Sequence, residues 1–201
     1  MSEGPETSRL LAALRLTANA LEELGISWAL VGGLAVSVRA NPRFTRDIDL
    51  AVSVADDGAA ESLVRDLKAR GFHLVLSLEQ AALRRLATVR MLPPGEPAEG
   101  VVVDLLFASS GIESDICREA ERFELIPGLI VPVARAGHLV AMKILAEGPA
   151  RPQDAMDLQA LVTGMAATDR ATALEAIARI EAVGAHRGKQ LRAEAERWLA
   201  L

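Results

Sequence analysis

Apolar and polar residues follow two different patterns along the chain, and the change falls near residue 136. Before it, short apolar or alternating runs are separated by Gly and Pro, which is typical of strands joined by turns. Apolar positions at helical spacing predict helices over 8–24 and 60–71, and the residues after Gly33 are compatible with another helix. The apolar runs predict strands over 26–31, 47–54, 72–78, 87–92 and 101–108, and a pair of short strands around a Pro-Gly turn within 124–134.

From residue 136 onward the pattern is helical almost throughout. Four segments, separated by Gly and Pro, have helical patterns: 136–148, 152–164, 168–184 and 185–201. No long linker separates the two parts of the chain, so we expect them to pack against each other. The predicted organisation is an α/β (α+β) core over residues 1–135 and a helical part over residues 136–201.

The composition allows a sizeable core and narrows the class of protein. Of the 201 residues, 51% are hydrophobic and 3% aromatic, so aliphatic side chains must fill the core. A net charge of -5 argues against an extended surface that coats nucleic acid, but not against a local basic patch. No apolar run approaches the roughly 18 residues that span a bilayer, so we expect no membrane partner. The single cysteine, Cys117, excludes an intrachain disulfide, and the start of the chain does not resemble a signal peptide, so we expect a cytoplasmic protein.

Two aspartates one residue apart mark the most unusual stretch, RDIDL. On a strand, Asp47 and Asp49 point to the same face, while Ile48 points to the other. Two like charges about 7 Å apart repel, and Asp is a poor strand former, so a compensating interaction is expected. The alternative is that both aspartates lie on a solvent-exposed strand face, where charged residues are common.

A third carboxylate, Asp104, lies amid the apolar residues of the predicted strand 101–108. A carboxylate there is costly unless it is paired or bound to a metal. Three carboxylates from two neighbouring strands suit Mg²⁺, or Mn²⁺ in its place. Two such ions can activate a hydroxyl and stabilise a departing pyrophosphate.

Gly32 and Gly33 follow the predicted strand 26–31. Because they lack side chains, their backbone N–H groups can approach a phosphate, and the N-terminus of a following helix adds partial positive charge. Turn geometry alone accounts for most Gly-Gly pairs. The pair gains weight here because an Asp-x-Asp segment and a later strand aspartate follow it.

The segments GG, TRDIDL and VDLLF together resemble the nucleotidyltransferase superfamily, which includes DNA polymerase beta and the minimal nucleotidyltransferases. That superfamily combines Gly-Ser or Gly-Gly with Asp-x-Asp and a third acidic residue on a later strand, and the match covers roughly residues 26–108. The segment HLVAMKILAEGPARPQDAMDLQAL is similar to the Lys…Arg-x-x-Asp-x-x-Asp-Leu segment of AbiEii-type nucleotidyltransferase toxins of abortive-infection and type IV toxin–antitoxin systems. The resemblance implies a nucleotidyltransferase-like mixed sheet flanked by helices.

The resemblance also implies roles for individual residues. Asp47 and Asp49 would be metal ligands, and Asp104 would be the third catalytic and metal-binding carboxylate that helps to deprotonate the acceptor hydroxyl. Gly32 and Gly33 match the glycine pair of the superfamily pattern and would bind nucleotide, and the similarity to the AbiEii-type segment implies the same role for Lys143 and Arg151. One position departs from that pattern, because many members have Ser where this chain has Gly33.

Asp154 and Asp157 form a possible second motif. They are one helical turn apart, so they would face the cleft or hold Lys143 and Arg151 in place. Lys143 itself has a second interpretation, because a lysine in an apolar helix can simply extend its ammonium group past the apolar surface.

Three arginines lie in the connector between the glycines and the aspartates: Arg39, Arg43 and Arg46. Each could contact a triphosphate or an acceptor RNA, or carry only solvated charge. Arg46 is the strongest nucleotide-binding candidate among them because it adjoins Asp47.

These features predict a metal-dependent enzyme that moves an NMP from an NTP to an RNA, protein or small-molecule acceptor and releases pyrophosphate. The resemblance adds a possible place in a toxin–antitoxin system, with an antitoxin or another protein as partner and tRNA among the candidate acceptors. The alternative is a catalytically weak nucleotidyltransferase-fold module that binds or regulates another protein. Retention of all three carboxylates favours the enzyme.

Overall fold

The computed structural model describes residues 5–43, 45–80 and 85–199. Within them the strands are β1 (Ser27–Val31), β2 (Asp47–Ser53), β3 (His73–Gln80), β4 (Arg85–Leu92), β5 (Val102–Leu106), β6 (Glu121–Ile126) and β7 (Leu129–Val133). The helices are α1 (Pro5–Glu23), α2 (Gly32–Arg39), α3 (Asp57–Ala69), α4 (Glu113–Glu119), α5 (Ala136–Ala146), α6 (Pro152–Val162), α7 (Ala167–Ala182) and α8 (Leu191–Leu199). Every strand predicted from the sequence is present.

The strands form one mixed sheet in the order β3-β4-β5-β2-β1-β7-β6. β2 is parallel to β5 and β1 is parallel to β7, whereas the other neighbouring strands are antiparallel. Helices flank this sheet, so the predicted fold class is confirmed. The two strands that carry the predicted carboxylates, β2 and β5, are direct neighbours.

The helices α1 and α3 form for local reasons. In α1, Leu10, Leu14 and Leu21 recur at helical spacing and are buried. The helix ends before Gly25, whose φ of +66° lies in the left-handed region that favours glycine. The N-terminus of α3 is capped by the Asp56 carboxylate, which accepts a hydrogen bond of 2.8 Å from the backbone N–H of Ala59.

The apolar core does not extend to β3, the edge strand of the sheet. β4 alternates, and Ala87, Val89 and Met91 are buried on one of its faces. Along β3, in contrast, the large apolar side chains are about half exposed: Leu74, Val75, Leu76 and Leu78. The core therefore ends at β4.

The helical part shares the core of the sheet. Buried side chains of α5, α6, α7 and α8 belong to the same apolar cluster as those of β1, β2 and β5. The division of the chain at residue 135 into two domains stays a prediction. No helix in the described ranges is long and apolar enough to cross a membrane.

Two elements differ from the sequence pattern. The pattern does not predict α4, which is only seven residues long and contributes few apolar positions. The helix predicted over 185–201 begins only at Leu191, because Arg187 and Gly188 have φ values of 55° and 75°, which a right-handed helix excludes. The last two residues of that predicted helix lie outside the described residues.

Candidate active site

Strand pairing places four groups in one row across the sheet. Val31, the last residue of β1, pairs with Asp49 on β2, and Gly32 follows it directly. Asp49 pairs with Asp104 on β5, and Asp104 pairs with Arg90 on β4. Register partners on neighbouring strands point to the same face of a sheet, so these side chains converge although they are far apart in the sequence.

The aspartates of β2 lie as the alternation predicts. Ile48 and Leu50 are fully buried on one face, whereas Asp47 and Asp49 share the other face. A cleft of about 520 Å³ opens above this face, and both aspartates line it together with Asp104.

Negative charge is concentrated at Asp49. Its pKa is raised from 3.8 to about 6, first by burial and then by the Asp104 and Asp47 carboxylates. Lys143 and Arg90 act in the opposite direction without cancelling the shift. The row therefore favours a cation beside Asp49.

Arg90 is a site residue that the sequence interpretation missed. Its Nε and Nη2 donate hydrogen bonds of 2.8 and 2.7 Å to the two oxygens of Asp104, and Nη2 lies 3.8 Å from Asp47 Oδ2. The hydrogen bond to Asp104 is the main reason why the pKa of Arg90 is raised. The signal was present in the sequence: in ATVRML the polar residues Thr88 and Arg90 alternate with buried apolar ones, which places Arg90 on the carboxylate face.

Gly32 is required at its position by both conformation and space. Its φ of +63° lies in the left-handed region. A Cβ atom added there would also lie 1.9 Å from Asp49 Oδ2. The glycine therefore leaves room for the Asp49 carboxylate at the junction of β1 and α2.

Arg43 leaves little space for a side chain at position 33. A Cβ atom at Gly33 would lie 2.5 Å from Nη2 of Arg43. Arg43 occupies this space while it forms an ion pair with Asp157, with Nε 2.7 Å from Oδ1. A side chain at position 33 would therefore have to displace the Arg43 guanidinium group.

The helical part supplies a cationic wall opposite the carboxylates. The Lys143 ammonium of α5 lies 2.6 Å from Asp154 Oδ1 and 2.7 Å from Asp157 Oδ2, both on α6. The Arg151 guanidinium lies 2.9 Å from Asp154 Oδ2. Asp154 and Asp157 thus hold Lys143 and Arg151 in place, which is one of the two roles that the sequence predicts for them.

Asp157 is the centre of this wall, and its side chain is almost fully buried. Burial alone would raise its pKa, but hydrogen bonds from Arg43, Lys143 and Gln153 outweigh that effect and lower the pKa. Because the carboxylate stays ionised, it fixes Arg43 and Lys143 beside the cleft.

The structure brings most, but not all, of the predicted residues together. Gly32, Gly33, Lys143 and Arg151 line the cleft with the three aspartates, and so does Arg43. Arg46, the preferred arginine of the connector, is exposed and lies beside a different hollow with Glu99. Arg46 precedes β2 and does not line the cleft with the aspartates, so its role in nucleotide binding stays a prediction.

Arg39 has a structural environment. Its guanidinium donates to the backbone carbonyls of Ala134 and Val133 at 2.9 and 3.1 Å and forms an ion pair of 2.6 Å with Glu121. It also lies over the Phe123 ring, 4.5 Å from the centroid. These contacts tie the end of α2 to β6 and β7 and account for the residue without a ligand.

The metal prediction is compatible with the residues present, with one restriction. Asp47 and Asp49 offer carboxylate oxygens on one face, and the pKa of Asp49 is raised first by burial and then by its two carboxylate neighbours. Both oxygens of Asp104 are bound by Arg90. Within the described ranges, no group of three His, Cys, Asp or Glu side chains is arranged to hold a metal ion. The donor set therefore fits a divalent cation at Asp47 and Asp49, whereas Asp104 would have to be released by Arg90 to join it.

Solved structures of an antibiotic-resistance factor have a similar fold. The solution structure of the antibiotic-resistance factor ANT(2'')-Ia has a TM-score of 0.54 and 17% identity, and the match covers 90% of this chain and 97% of that one. The crystal structure of ANT(2")-Ia in complex with adenylyl-2"-tobramycin has a TM-score of 0.52 and 12% identity, with 87% and 96% of the chains covered. At these identities the likeness shows a shared fold.

Sequence comparison identifies the family. No curated protein sequence matches the chain. The profile of a family described as nucleotidyl transferase AbiEii toxins of type IV toxin–antitoxin systems matches residues 15–200. This match covers the β-sheet row and the cationic wall together. The chain therefore belongs to the AbiEii family of nucleotidyltransferases.

Proposed function

We propose that this protein is a Mg²⁺-dependent enzyme that transfers an NMP from an NTP to a hydroxyl group of an RNA, protein or small-molecule acceptor. One observation carries the proposal: a group of side chains with net negative charge and a group with net positive charge line the same cleft. On the sheet side, three aspartates stand against Arg90. In the positive group, Lys143 and Arg151 of the helical part and Arg43 of the connector before β2 stand against the two aspartates of α6.

This distribution of charge suits a metal-bound triphosphate. A divalent cation would be held by Asp47 and Asp49, where it would neutralise phosphate charge and orient the triphosphate. The cationic wall offers Lys143 and Arg151 to the phosphate oxygens that the metal leaves uncompensated. Backbone N–H groups at the start of α2 would supply further donors beside Gly33.

The proposed reaction is an in-line displacement at the α-phosphorus. The acceptor oxygen forms a bond to that phosphorus, and the bond between the phosphorus and the oxygen bridging to the β-phosphate breaks. Pyrophosphate leaves with the electron pair of the broken bond. We assign the acceptor proton to Asp104, which would accept it on a carboxylate oxygen that Arg90 has released.

A binding module is the second candidate function, and one observation favours it. The bidentate ion pair between Arg90 and Asp104 already neutralises a carboxylate that a catalytic role would require to be free. In such a module the row would be stable without metal, and the chain would act through another protein, for example an antitoxin.

Transfer of labelled nucleotide distinguishes these functions. The protein is incubated with each α-³²P-labelled NTP, Mg²⁺ or Mn²⁺, and either total RNA, cell protein or small-molecule fractions. We expect at least one α-labelled NTP to label one of the acceptor fractions. The same NTP labelled at the γ-phosphate should leave that fraction unlabelled, because the γ-phosphate leaves with pyrophosphate. Binding of a partner protein without transfer from any NTP would favour the module instead.

A further inference from the structure

The turn before α8 contributes an arginine to the cleft that the sequence pattern does not single out. Arg187 lines the same cleft as Asp49 and Lys143. Its Nη2 donates to the backbone carbonyl of Ser109 at 2.9 Å and lies 3.2 Å from the Ser109 hydroxyl. Both contacts are to neutral oxygens. In the part of the chain that the structure describes, Arg187 takes part in no ion pair within 4.0 Å.

The backbone at this position gives no reason for an arginine. Arg187 has a φ of 55°, in the left-handed region, and is the one non-glycine residue in the described ranges with a positive φ. That region is unfavourable for an ordinary L residue, and glycine or asparagine tolerates it better. The reason for an arginine therefore has to be sought in its side chain.

The surroundings of the guanidinium group leave its charge uncompensated. The residue as a whole is exposed, but partial burial of the guanidinium group lowers its pKa. The positive charge of Arg151 lowers that pKa further. Glu113 opposes this effect, although Ser110 and Gly111 already donate to both of its carboxylate oxygens. The positive charge of Arg151 thus acts on Arg187 without a compensating ion pair, and a bound anion would relieve this repulsion.

Arg187 changes the charge balance of the cationic wall. Without it, Arg43, Lys143 and Arg151 exceed the two α6 aspartates by one positive charge. With Arg187, the excess is two. Arg187 contacts Ser109, which lies beyond the end of β5, so its guanidinium group stands past the Asp104 end of the carboxylate row while still lining the cleft.

We propose that Arg187, together with Arg151, binds the terminal phosphates of the NTP. This inference rests on the proposed function, because it assumes that the α-phosphate lies at the carboxylate row. A triphosphate placed there extends its β- and γ-phosphates away from the row. Guanidinium groups suit these oxygens because they donate two parallel hydrogen bonds to phosphate.

Binding measurements on three variants test the assignment. Non-hydrolysable NTP analogues and the corresponding NMP are titrated with Mg²⁺ into the parent, Arg187→Gln, Arg187→Lys and Arg192→Gln. Arg192 is an exposed arginine of α8 that does not line the cleft, so it controls for lost surface charge. We expect Arg187→Gln to weaken NTP binding by at least about tenfold. Arg187→Lys should restore part of this affinity, and Arg192→Gln should leave it unchanged.

Binding of the NMP serves as the internal reference, because an NMP lacks the phosphates that Arg187 is proposed to hold. Unchanged NMP binding in Arg187→Gln supports the assignment and shows that the site is still folded. Equal losses for NMP and NTP, no loss for either, or a loss confined to RNA binding would overturn it. If the parent protein binds none of the NTP analogues, the proposed function itself fails, and that outcome is distinct from a parent that binds them independently of Arg187.

Discussion

Arg90 and Asp104 are direct register partners on β4 and β5, and two hydrogen bonds of 2.8 and 2.7 Å join the guanidinium group to both carboxylate oxygens. The Asp104 side chain is 12% exposed and that of Arg90 is 38% exposed. The carboxylate therefore depends on its partner more than the guanidinium does, because Arg90 can turn toward water whereas Asp104 would remain beside Asp49.

This asymmetry predicts unequal costs of breaking the pair in EDTA. Arg90→Gln should lower the free energy of unfolding by about 2–3 kcal/mol, because it leaves a covered carboxylate beside two others. Asp104→Asn should cost only about 1 kcal/mol, because it removes negative charge from the row. Urea unfolding of both variants, with Arg85→Gln as the control on the same strand, measures the difference. Equal costs would mean that the pair is an ordinary surface salt bridge.

Asp49→Asn should leave the fold intact and abolish Mg²⁺-dependent transfer of the NMP. A neutral amide is a poor ligand for a hard cation, and Asp49 lies at the centre of the carboxylate row. We expect the rate to fall by at least about a thousandfold. Label transfer is compared with that of Asp66→Asn, an exposed aspartate of α3. A variant as active as the parent would remove the two-aspartate site from the mechanism.

The raised pKa of Asp49 predicts a pH dependence of stability in metal-free buffer. The folded protein holds the Asp49 proton up to about pH 6, whereas the unfolded chain releases it near pH 3.8. Between these values the folded state binds more protons, so the contribution of Asp49 to stability decreases as the pH rises, by about 2–3 kcal/mol in total. Other carboxylates titrate in the same range, so the informative quantity is the difference between the parent and Asp49→Asn. That difference should change between pH 4 and 6 and be constant above pH 7; a flat difference would contradict the prediction.

The sequence predicts the strands of the site because strand alternation depends on local pattern. Asp47 and Asp49 follow directly from it, and so does the position of Asp104 in an apolar strand. The pairing of Arg90 with Asp104 depends on β4 lying next to β5, and strand order is a property of the whole sheet. The alternation of β4 indicates which face Arg90 occupies but not which residue it meets.

The connector arginines show a different limit. Arg46 appeared favourable because it adjoins Asp47, yet Arg43, three residues earlier, lines the cleft. Its contact with Asp157 joins two segments that are distant in the sequence, and no local pattern reports such a contact. Arg187 escaped notice for the same reason, since a helical pattern over 185–201 hid the turn that carries it.

Lys143 has both a structural and a binding role, and one substitution should affect both. Lys143→Ala removes the cation between Asp154 and Asp157, so we expect unfolding free energy to fall by about 2–3 kcal/mol. NTP binding should weaken at least tenfold while binding of Mg²⁺ alone persists, because the metal ligands lie on the sheet. Calorimetric titration measures both ligands, with Lys68→Ala on α3 as the control. Unchanged NTP affinity in a destabilised variant would assign Lys143 a purely structural role.

Gly32 and Gly25 form a matched pair that separates backbone strain from loss of the site. Both have φ values near +65°, so alanine at either position carries a left-handed strain of about 1 kcal/mol. Nothing lies within 4 Å of a Cβ atom at Gly25, whereas a Cβ at Gly32 would lie 1.9 Å from Asp49 Oδ2. Gly25→Ala should therefore cost only the strain and keep full activity.

Gly32→Ala should cost more and should inactivate the enzyme, because the Asp49 carboxylate has to leave the row. Thermal unfolding and nucleotide transfer, measured on both alanine variants, provide the comparison. Mg²⁺ should raise the melting temperature of Gly25→Ala as much as that of the parent, and that of Gly32→Ala much less, because the metal binds only where Asp47 and Asp49 are both in place. If Gly32→Ala keeps transfer activity and the full metal response, the contact between Gly32 and Asp49 does not position the carboxylate, and the glycine serves only the turn from β1 into α2.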